Sequence, residues 1–304
     1  MTPKDKTLIV IAGPTAIGKT ALAVSLAKHF NTEVLSADSR QFFKEMKIGT
    51  ARPETAELKD VTHHFLGSHS IEEDYNASGF ENDALNKLNT IFMKHPVAIL
   101  CGGSGLYINA VCNGFDEIPK TTEATRDRLN LLLKEEGVEK LQELLKEKDP
   151  DYFNQVDTKN PQRLIRALEV CIDTGQPYSS YRKKKNKDRP FQMVKIALNT
   201  DREKLYERIN QRVDLMIQNG LIEETKSLTA YKNHNALQTV GYKELFDYFS
   251  GKTSRDEAIE LIKRNTRRYA KRQLTWLRKE SDYHWFEPQN TEEIIAFITK
   301  ALPK

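Results

Sequence analysis

The 304-residue sequence predicts an α/β fold, with a parallel sheet flanked by helices, an inserted all-helical subdomain and a helical C-terminal part. Two observations carry this prediction. Apolar runs that suit buried strands alternate with helix-forming stretches through the first third of the chain. From about residue 121 to residue 174 the alternation stops, and only amphipathic helical patterns follow one another.

The first strand and the first helix enclose a glycine-rich turn. The apolar run 8–12 precedes the sequence GPTAIGKT, and a helix-forming stretch follows at 21–30. GPTAIGKT matches the P-loop pattern, in which backbone N–H groups and a helix N-terminus converge on bound phosphates. We therefore predict a P-loop NTPase-like sheet that binds a diphosphate or triphosphate through Gly13, Pro14, Thr15, Ala16, Ile17, Gly18, Lys19 and Thr20. Lys19 adds a full positive charge there, and Thr20 offers its hydroxyl to Mg²⁺.

The remaining elements follow from the same periodicities. Strands are predicted at 33–37, 97–100 and 193–198, and helices at 80–93, 123–148, 162–173, 202–219, 222–230, 242–249 and 254–280, with a tail helix after Pro288. A polar basic loop is predicted at 182–190. We predict that residues 1–116 and 191–304 form the α/β core and that residues 117–190 form the helical insertion.

Composition narrows the class of protein. The net charge of +4 is too small to establish a polyanionic partner by itself. Cys101, Cys112 and Cys171 lack metal-ligand spacing and cannot all pair, which is typical of a reducing cytosol and predicts a cytoplasmic protein. No run is long and apolar enough to span a membrane, and the first strand begins too early to leave room for a secretory signal.

Two candidate catalytic groups follow predicted strands. Asp38 comes directly after the strand 33–37, and Ser104 lies in the turn GGSGLY after the strand 97–100, where the glycines are expected to let the backbone approach a ligand. Because the carboxyl ends of parallel strands form the ligand-binding edge, we expect both residues beside the P-loop. The strand 97–100 offers no second carboxylate of the kind that ATPases use. Asp38 therefore suits a base or an orienting group for an acceptor, although it could instead cap a helix.

Basic residues concentrate on two helical faces. Residues 263–279 contain eight basic residues and no acidic one, and Arg163 and Arg166 share a second face. On the first face we expect Lys263, Arg264, Arg267, Arg268, Lys271 and Arg272. Together with the loop 182–189 and the lack of a DNA-reading motif, they favour a structured RNA partner over DNA. The alternative is that these faces are solvated surface.

Seven motifs, in this order, resemble the tRNA dimethylallyltransferase family. They are GPTAIGKT, SADSRQFFKEMKIGTARP (36–53), HHF (63–65), GGSGLY (102–107), NPQRLIRALEV (160–170), TVGYKEL (239–245) and TRRYAKRQLTWLR (266–278). The resemblance covers nearly the whole chain. Phe43 stands where the family usually has Tyr, and Ser104 stands where Thr is common.

The resemblance implies a transferase that moves a dimethylallyl group from dimethylallyl diphosphate to N6 of the adenosine just 3′ of the anticodon in tRNA, releasing diphosphate. It implies that Asp38 accepts a hydrogen bond or proton from the N6 amine and that Ser104 orients it. Mg²⁺, Lys19 and Arg212 would neutralise the charge on the leaving group. Arg126 matches a family position that contacts tRNA and diphosphate near the reacting centre.

The resemblance also implies which residues bind the anticodon stem-loop, where the adenosine must leave its stack. These are Asp38, Ser39, Arg40 and Gln41 in one stretch, and Gln162, Arg163, Leu164, Ile165 and Arg166 in another. Ser104 and Arg126 belong to the same surface, and Arg268 and Arg272 are the helix residues that we expect to contact phosphates.

Three other functions remain open from the residues alone. A small-metabolite or nucleotide kinase would share the P-loop and the sheet. An adenylate isopentenyltransferase would prenylate free nucleotides, but it would not need extended basic surfaces. A non-catalytic RNA-binding regulator would not need an intact Lys19, Thr20 and Asp38.

Overall fold

The structure is a computed structural model that describes residues 5–182 and 187–303. Within these residues the sheet has six strands, all parallel, in the order β3-β2-β4-β1-β5-β6. They are β1 (Thr7–Ala12), β2 (Val34–Ala37), β3 (His63–His64), β4 (Val97–Gly102), β5 (Gln192–Leu198) and β6 (His284–Phe286). The predicted parallel α/β fold is confirmed.

Helices account for most of the remaining described chain. They are α1 (Lys19–His29), α2 (Thr55–Leu58), α3 (Ala77–Ile91), α4 (Gly105–Asn113), α5 (Glu123–Lys148), α6 (Pro150–Phe153), α7 (Pro161–Thr174), α8 (Tyr178–Tyr181), α9 (Arg202–Gln218), α10 (Leu221–Ser227), α11 (Tyr242–Phe249), α12 (Arg255–Leu277) and α13 (Thr291–Ala301). Among the described residues, no helix is long and apolar enough to cross a membrane.

Strand β1 is buried along its whole length because both faces of the sheet are covered. Leu8 and Val10 pack into the hydrophobic cluster on one face, whereas Ile9 and Ile11 pack into the cluster on the other. At the carboxyl ends, Gly102 of β4 pairs with Ala12 of β1 and with Ala37 of β2. The loops that follow these three strands therefore begin at the same level of the sheet, where a ligand site is expected.

The chain divides into two compact units. The first, here called the α/β unit, comprises Met1–Asn113 and Asp188–Lys304, and the second, the helical unit, comprises Gly114–Lys187. The predicted boundaries lie three residues later in each case. The α/β unit contains the whole sheet.

The helical unit has its own core, in which α5 packs against α7. Gly137 interrupts α5 with φ of +81° and ψ of −178°, a conformation that residues with a Cβ rarely adopt. The prediction of one continuous helix at 123–148 is therefore wrong at this point. Asp149 is buried beyond the helix end, where its carboxylate accepts hydrogen bonds from the backbone N–H of Tyr152 and the hydroxyl of Ser179.

The basic loop 182–190 differs from the prediction at its end. Lys183, Lys184, Lys185 and Asn186 lie outside the described residues. The side chain of Arg189 is buried in the α/β unit, where its Nη2 lies 2.8 Å from Oε1 of Glu81 and donates to the carbonyl oxygen of Ala110 at 2.7 Å. The interpretation of Arg189 as part of an RNA-facing loop is wrong, because a buried carboxylate already neutralises its charge.

Candidate active site

The glycine-rich turn between β1 and α1 contains two glycines that the backbone requires for different reasons. Gly18 has φ of +106° and directly precedes the first residue of α1. A Cβ at Gly13 would lie 3.1 Å from Cγ2 of Ile17 and 3.2 Å from the carbonyl oxygen of Leu198. No side chain caps the N-terminus of α1, and no acidic residue occupies its first turn. Such a helix end attracts anions.

Five of the eight predicted phosphate-binding residues line a cleft of about 960 Å³. Gly13, Pro14 and Ile17 are buried beneath them and shape the turn. The cleft is bounded by the ends of β2 and β4, by the segment 47–57 and by α9. Five basic side chains line the cleft: Lys19, Lys47, Arg52, Arg208 and Arg212. Thr20 lines the same cleft, as predicted for a residue that offers a hydroxyl beside bound phosphate.

The ammonium of Lys19 is poorly solvated. Its Nζ donates a hydrogen bond to the carbonyl oxygen of Pro14 at 2.8 Å. Burial lowers the pKa of Lys19 to about 8, Cys101 and Asp38 oppose this shift, and the guanidinium of Arg212 adds to it. An anion placed beside Lys19 would restore the charged form, so this position favours a phosphate ligand.

Asp38 and Ser104 are neighbours because they follow paired strands. The Asp38 carboxylate accepts a hydrogen bond from the backbone N–H of Arg40 at 3.0 Å, and the Ser104 hydroxyl accepts one from the N–H of Ser39 at 3.0 Å. Ser104 also donates to the hydroxyl of Ser39 at 3.2 Å. Residues 39–45 form turns and a bridge rather than a helix, so Asp38 caps a turn and not a helix.

Tyr269 of α12 joins this group. Its hydroxyl is hydrogen-bonded to Ser104, and burial together with the nearby Asp38 charge raises the pKa of Tyr269 to about 12. Tyr269, Asp38 and Arg212 line a second, smaller cavity of about 90 Å³. Apolar side chains supply much of its wall: Ile209, Val213, Met216, Val240 and Ile262. Asp38 thus lines both the cleft of the P-loop turn and a small cavity with an apolar wall.

Gln41 and Arg212 also line the cleft, and Arg40 lines the small cavity. The Gln41 amide donates to the carbonyl oxygens of Thr50 and Ala51 at 3.1 and 3.2 Å, and Arg212 donates to that of Thr50 at 3.4 Å. Burial lowers the pKa of Arg212, and Asp38 and Glu57 oppose the shift. Burial likewise lowers the pKa of Arg40, although it stays charged at neutral pH. Gln41 therefore braces the cleft through the backbone.

Comparison with known proteins assigns this arrangement to a family. A family model described as IPP transferase matches residues 41–280, which is most of the chain. The chain belongs to the IPP transferase family. A tRNA dimethylallyltransferase of Christiangramia forsetii is 54% identical over 292 residues, covering 96% of this chain and 97% of that relative. Another, of Cytophaga hutchinsonii, is 50% identical and covers 98% of both chains.

Solved structures of IPP transferases share the fold. The full-length tRNA isopentenylpyrophosphate transferase of Bacillus halodurans is 37% identical, with a TM-score of 0.73 over 98% of this chain and 97% of that one. A eukaryotic dimethylallyltransferase acting on tRNA, captured in crystallographic snapshots, is 27% identical, with a TM-score of 0.78 over 97% of this chain and 77% of that one. The chain is therefore a transferase of this family.

In this family member, Gln273 of α12 joins the two glycine turns. Its Oε1 accepts a hydrogen bond from the backbone N–H of Thr15 at 2.9 Å, and its Nε2 donates to the carbonyl oxygen of Gly103 at 2.8 Å. In the second turn Gly102 lines the cleft, whereas at Gly103 and Gly105 packing against α12 takes the place of the predicted ligand approach. A Cβ at Gly103 would lie 2.3 Å from Nε2 of Gln273, and one at Gly105 would lie 2.3 Å from the Trp276 indole.

The basic face of α12 is divided in the structure. Lys263 lies 2.8 Å from Asp214, and Arg267 donates to the amide oxygen of Asn210 at 2.6 Å, so both side chains are engaged with α9. Arg268 and Arg272 are exposed. The prediction of one continuous phosphate-facing stripe is therefore wrong for Lys263 and Arg267, and it stays a prediction for the exposed members Arg264, Arg268, Lys271 and Arg272.

In the helical unit, Glu169 organises two of the predicted RNA-binding arginines. This carboxylate is fully buried, and it lies 3.2 Å from Nε of Arg126 and 3.3 Å from Nη1 of Arg166. Arg166 also donates to the hydroxyl of Thr121 at 2.9 Å. Because Arg126 and Arg166 remain 51% and 38% exposed, their outer surfaces are accessible.

The neighbouring residues of the NPQRLIR motif fall into two groups. Gln162 and Arg163 are exposed, so they remain candidates for RNA contact. Leu164 and Ile165 are fully buried in the core of the helical unit. The prediction that Leu164 and Ile165 contact tRNA is wrong for their side chains, because α7 needs an apolar face to pack against α5.

Three site residues were missed at the sequence level: Gln273, Tyr269 and Glu169. Each lies in one of the family motifs, but its partner is distant in the chain. Gln273 contacts Thr15, Tyr269 contacts Ser104, and Glu169 contacts Arg126. A polar residue within an otherwise apolar helical face was the available signal for Gln273 and Glu169.

Proposed function

We propose that this protein transfers a dimethylallyl group from dimethylallyl diphosphate to N6 of the adenosine just 3′ of the anticodon in tRNA, giving N6-dimethylallyladenosine and diphosphate, and that it acts in the cytoplasm. The observation that carries the proposal is that Asp38 lines both the cleft of the P-loop turn and the small cavity with an apolar wall. A charged leaving group, an apolar transferred group and an amine acceptor therefore meet at one carboxylate. The names of the relatives support the same activity.

The diphosphate is held by the P-loop turn. The N-terminus of α1 and the side chains of Lys19 and Arg212 supply positive charge, and Arg208 lines the same cleft. As the bond between C1 of the dimethylallyl group and the diphosphate oxygen breaks, its electron pair stays on the diphosphate. These groups stabilise that developing charge, which is the usual role of such groups in phosphate chemistry.

Mg²⁺ fits this donor set as a cofactor. It prefers hard oxygen ligands, keeps several waters and is commonly bound by one or two protein oxygens together with substrate phosphates. The Thr20 hydroxyl lies beside the P-loop turn, and the described residues contain no cluster of three side chains that would hold an ion alone. Thr20 would hold the ion against the diphosphate, and the bound ion would supply further charge neutralisation.

The acceptor is activated at Asp38. As the new bond forms between C1 and N6 of adenosine, N6 loses a proton, and the Asp38 carboxylate accepts it. Ser104, held by Ser39 and Tyr269, orients the N6 amine. The small cavity beside Asp38 excludes water from the apolar dimethylallyl group. Burial of the reacting carbon protects it from hydrolysis.

The anticodon stem-loop binds through arginines and polar groups of both units. In the α/β unit these are Ser39, Arg40, Gln41, Arg268 and Arg272, where the amide of Gln41 acts by bracing the loop 50–51. In the helical unit Arg126, Arg163 and Arg166 are exposed and bind phosphates, and Gln162 contributes a polar contact. The target adenosine leaves its stack to reach Asp38.

One assay tests the function against its alternatives. The protein is incubated with labelled dimethylallyl diphosphate or labelled ATP, in the presence of unmodified tRNA or AMP. Transfer of the prenyl label to tRNA is expected, and a tRNA in which the adenosine 3′ of the anticodon is replaced should remain unlabelled. Labelling of AMP would indicate a free-nucleotide transferase, and phosphate transfer from ATP would indicate a kinase. No transfer at all would contradict an enzymatic role.

A further inference from the structure

Glu224 of α10 makes an arrangement of hydrogen bonds that no other carboxylate of the cleft makes among the described residues. Its Oε2 accepts from the backbone N–H groups of Lys47 and Ile48 at 3.0 and 2.7 Å. Its Oε1 accepts from the N–H of Gly49 at 2.9 Å and from the hydroxyl of Tyr242 at 2.7 Å. Three consecutive N–H groups are thus bound by one carboxylate.

The segment 47–50 is fixed from both sides. Its N–H groups are held by Glu224, whereas the carbonyl oxygen of Thr50 accepts from Gln41 and Arg212. The hydroxyl of Thr50 closes the turn by donating to the carbonyl oxygen of Met46 at 2.7 Å. Lys47 and Ile48 of this segment line the cleft of the P-loop turn, and Gly49 and Thr50 line the small cavity. The segment therefore lies between the two spaces.

The segment packs closely on the side chain of Tyr242 at Gly49. Tyr242 is fully buried, and a Cβ at Gly49 would lie 2.6 Å from its ring. Burial and the adjacent Glu224 carboxylate raise the pKa of Tyr242, so its hydroxyl stays protonated and remains a donor. The segment therefore follows the position of the Glu224 carboxylate.

We propose that Glu224 is a positioning residue for the diphosphate donor. Through the segment 47–50 it sets the place of the Thr50 carbonyl, and through that carbonyl the orientation of the Arg212 guanidinium toward the P-loop turn. Glu224 lines the same cleft, but both of its carboxylate oxygens already accept hydrogen bonds from the segment and from Tyr242, so in this role it acts through the segment. This inference rests on the proposed function only in taking a diphosphate as the ligand of the cleft.

Glu224→Gln tests the proposal, since it preserves size but replaces one acceptor oxygen with an NH₂ group that faces N–H or O–H donors. We expect the dissociation constant for inorganic diphosphate with Mg²⁺, measured by calorimetry, to rise about tenfold, because buried donors lose their acceptor and the segment shifts. The KM for dimethylallyl diphosphate should rise in parallel. The dissociation constant for tRNA should not change.

Controls separate positioning from folding. Glu223→Gln removes the neighbouring exposed carboxylate of the same helix and should behave as wild type. Partial unfolding would lower the calorimetric stoichiometry without changing the dissociation constant of the folded fraction. Glu224→Asp, which keeps the charge but withdraws the oxygens by one methylene, is a milder second variant and should weaken diphosphate binding less than Glu224→Gln.

Wild-type affinity for diphosphate in the folded fraction of both variants would overturn the inference. The outcome is separable from the proposed function. A wild-type protein that binds diphosphate but labels no tRNA would contradict the proposed function alone, because the effect of Glu224 is read from diphosphate binding.

Discussion

At the scale of single residues, the site depends on the carboxylate of Asp38, which is surrounded by cations, and on the ammonium of Lys19, which is poorly solvated. Asp38 is bound by the N–H of Arg40 and lies near Lys19, Arg40 and Arg212. Lys19 is desolvated, and its pKa is about 8. The Asp38 carboxylate therefore lies among cations. An anionic ligand beside Lys19 would stabilise the charged form of its ammonium.

Asp38→Asn should separate chemistry from binding. The amide oxygen can still accept the hydrogen bond from the N–H of Arg40, but it cannot take the N6 proton at neutral pH. We expect the single-turnover rate of prenyl transfer to fall about 10²- to 10⁴-fold, the range typical of a lost general base. The dissociation constants for tRNA and for dimethylallyl diphosphate should change little. An equal loss of tRNA affinity would assign Asp38 to binding instead.

Lys19 should take up a proton when the donor binds above pH 8. The negative charge of dimethylallyl diphosphate raises the pKa of Lys19 above its value of about 8 in the free protein. The contribution of the Lys19 charge to donor affinity is therefore fully present below the pKa of Lys19 in the free protein. It is lost as the pH rises through the pKa of Lys19 in the complex. Calorimetry at pH 8.5 in buffers of different ionisation enthalpy measures the uptake.

The matched variants for this experiment are Lys19→Met and Lys28→Met, the second being on the exposed face of the same helix. Lys19→Met should abolish the proton uptake and weaken donor binding, whereas Lys28→Met should retain both. Unchanged uptake in Lys19→Met would show that another group titrates.

At the scale of elements, α12 contributes side chains both to the candidate active site and to the exposed surface of the α/β unit. Gln273 and Tyr269 reach the P-loop turn and Ser104, while Arg268 and Arg272 remain exposed. Lys263 and Arg267 bind α9. A single helix therefore supports the site and presents charge to solvent.

Arg268→Ala and Arg272→Ala should each weaken tRNA binding through loss of a phosphate contact. Removal of one contact reduces the slope of log K against log salt by roughly 0.7 to 0.9. Lys263→Ala is the control, because its ammonium is already paired with Asp214 and should not contribute to the slope. Equal slopes in wild type and both arginine variants would show that this face is solvated surface.

The longer elements could be predicted because local patterns determine them. Two examples are β1 and α12. An apolar run followed by a glycine turn predicted β1, and a helical periodicity with basic residues predicted α12. Strands β3 and β6 have two and three residues, too few for a periodic signal. The interruption at Gly137 depends on one backbone conformation, and the burial of Arg189 depends on Glu81, a partner distant in the chain. Asp38 and Ser104 were predictable because parallel strands align them, whereas the bridge made by Gln273 required the fold.

At the scale of the whole molecule, the proposed donor site and one of the proposed tRNA-binding clusters lie in different units. The cleft and its cations belong to the α/β unit, and the cluster of Glu169, Arg126 and Arg166 belongs to the helical unit. Substitutions in the cluster of the helical unit should therefore act on tRNA and not on the diphosphate donor, whereas the α/β unit also contains proposed tRNA-binding residues such as Arg268.

Glu169→Gln should lower tRNA affinity without changing diphosphate affinity. The substitution removes the charge that orients two half-exposed guanidinium groups, and Arg126 and Arg166 would then adopt several rotamers. We expect a loss of about tenfold, because the ion pair with Arg126 and the charge-assisted hydrogen bond from Arg166 are both weakened. Filter binding of tRNA and calorimetry with diphosphate measure the two affinities. Glu143→Gln, at an exposed site of α5, is the control. A parallel loss of diphosphate affinity would contradict the separation.

The hydrogen bond from Arg189 to the carbonyl oxygen of Ala110 has a consequence for how the protein can change over evolution. Ala110 lies three residues before the chain leaves the α/β unit, and Arg189 lies at the second residue after it returns. This hydrogen bond links the segment that leaves the α/β unit to the segment that returns to it. The link is made within the α/β unit, so it does not involve the residues between the two segments. We therefore expect the α/β unit to keep its fold when the stretch between residues 114 and 187 changes in length, so this stretch can diverge faster than the core that closes around its two ends.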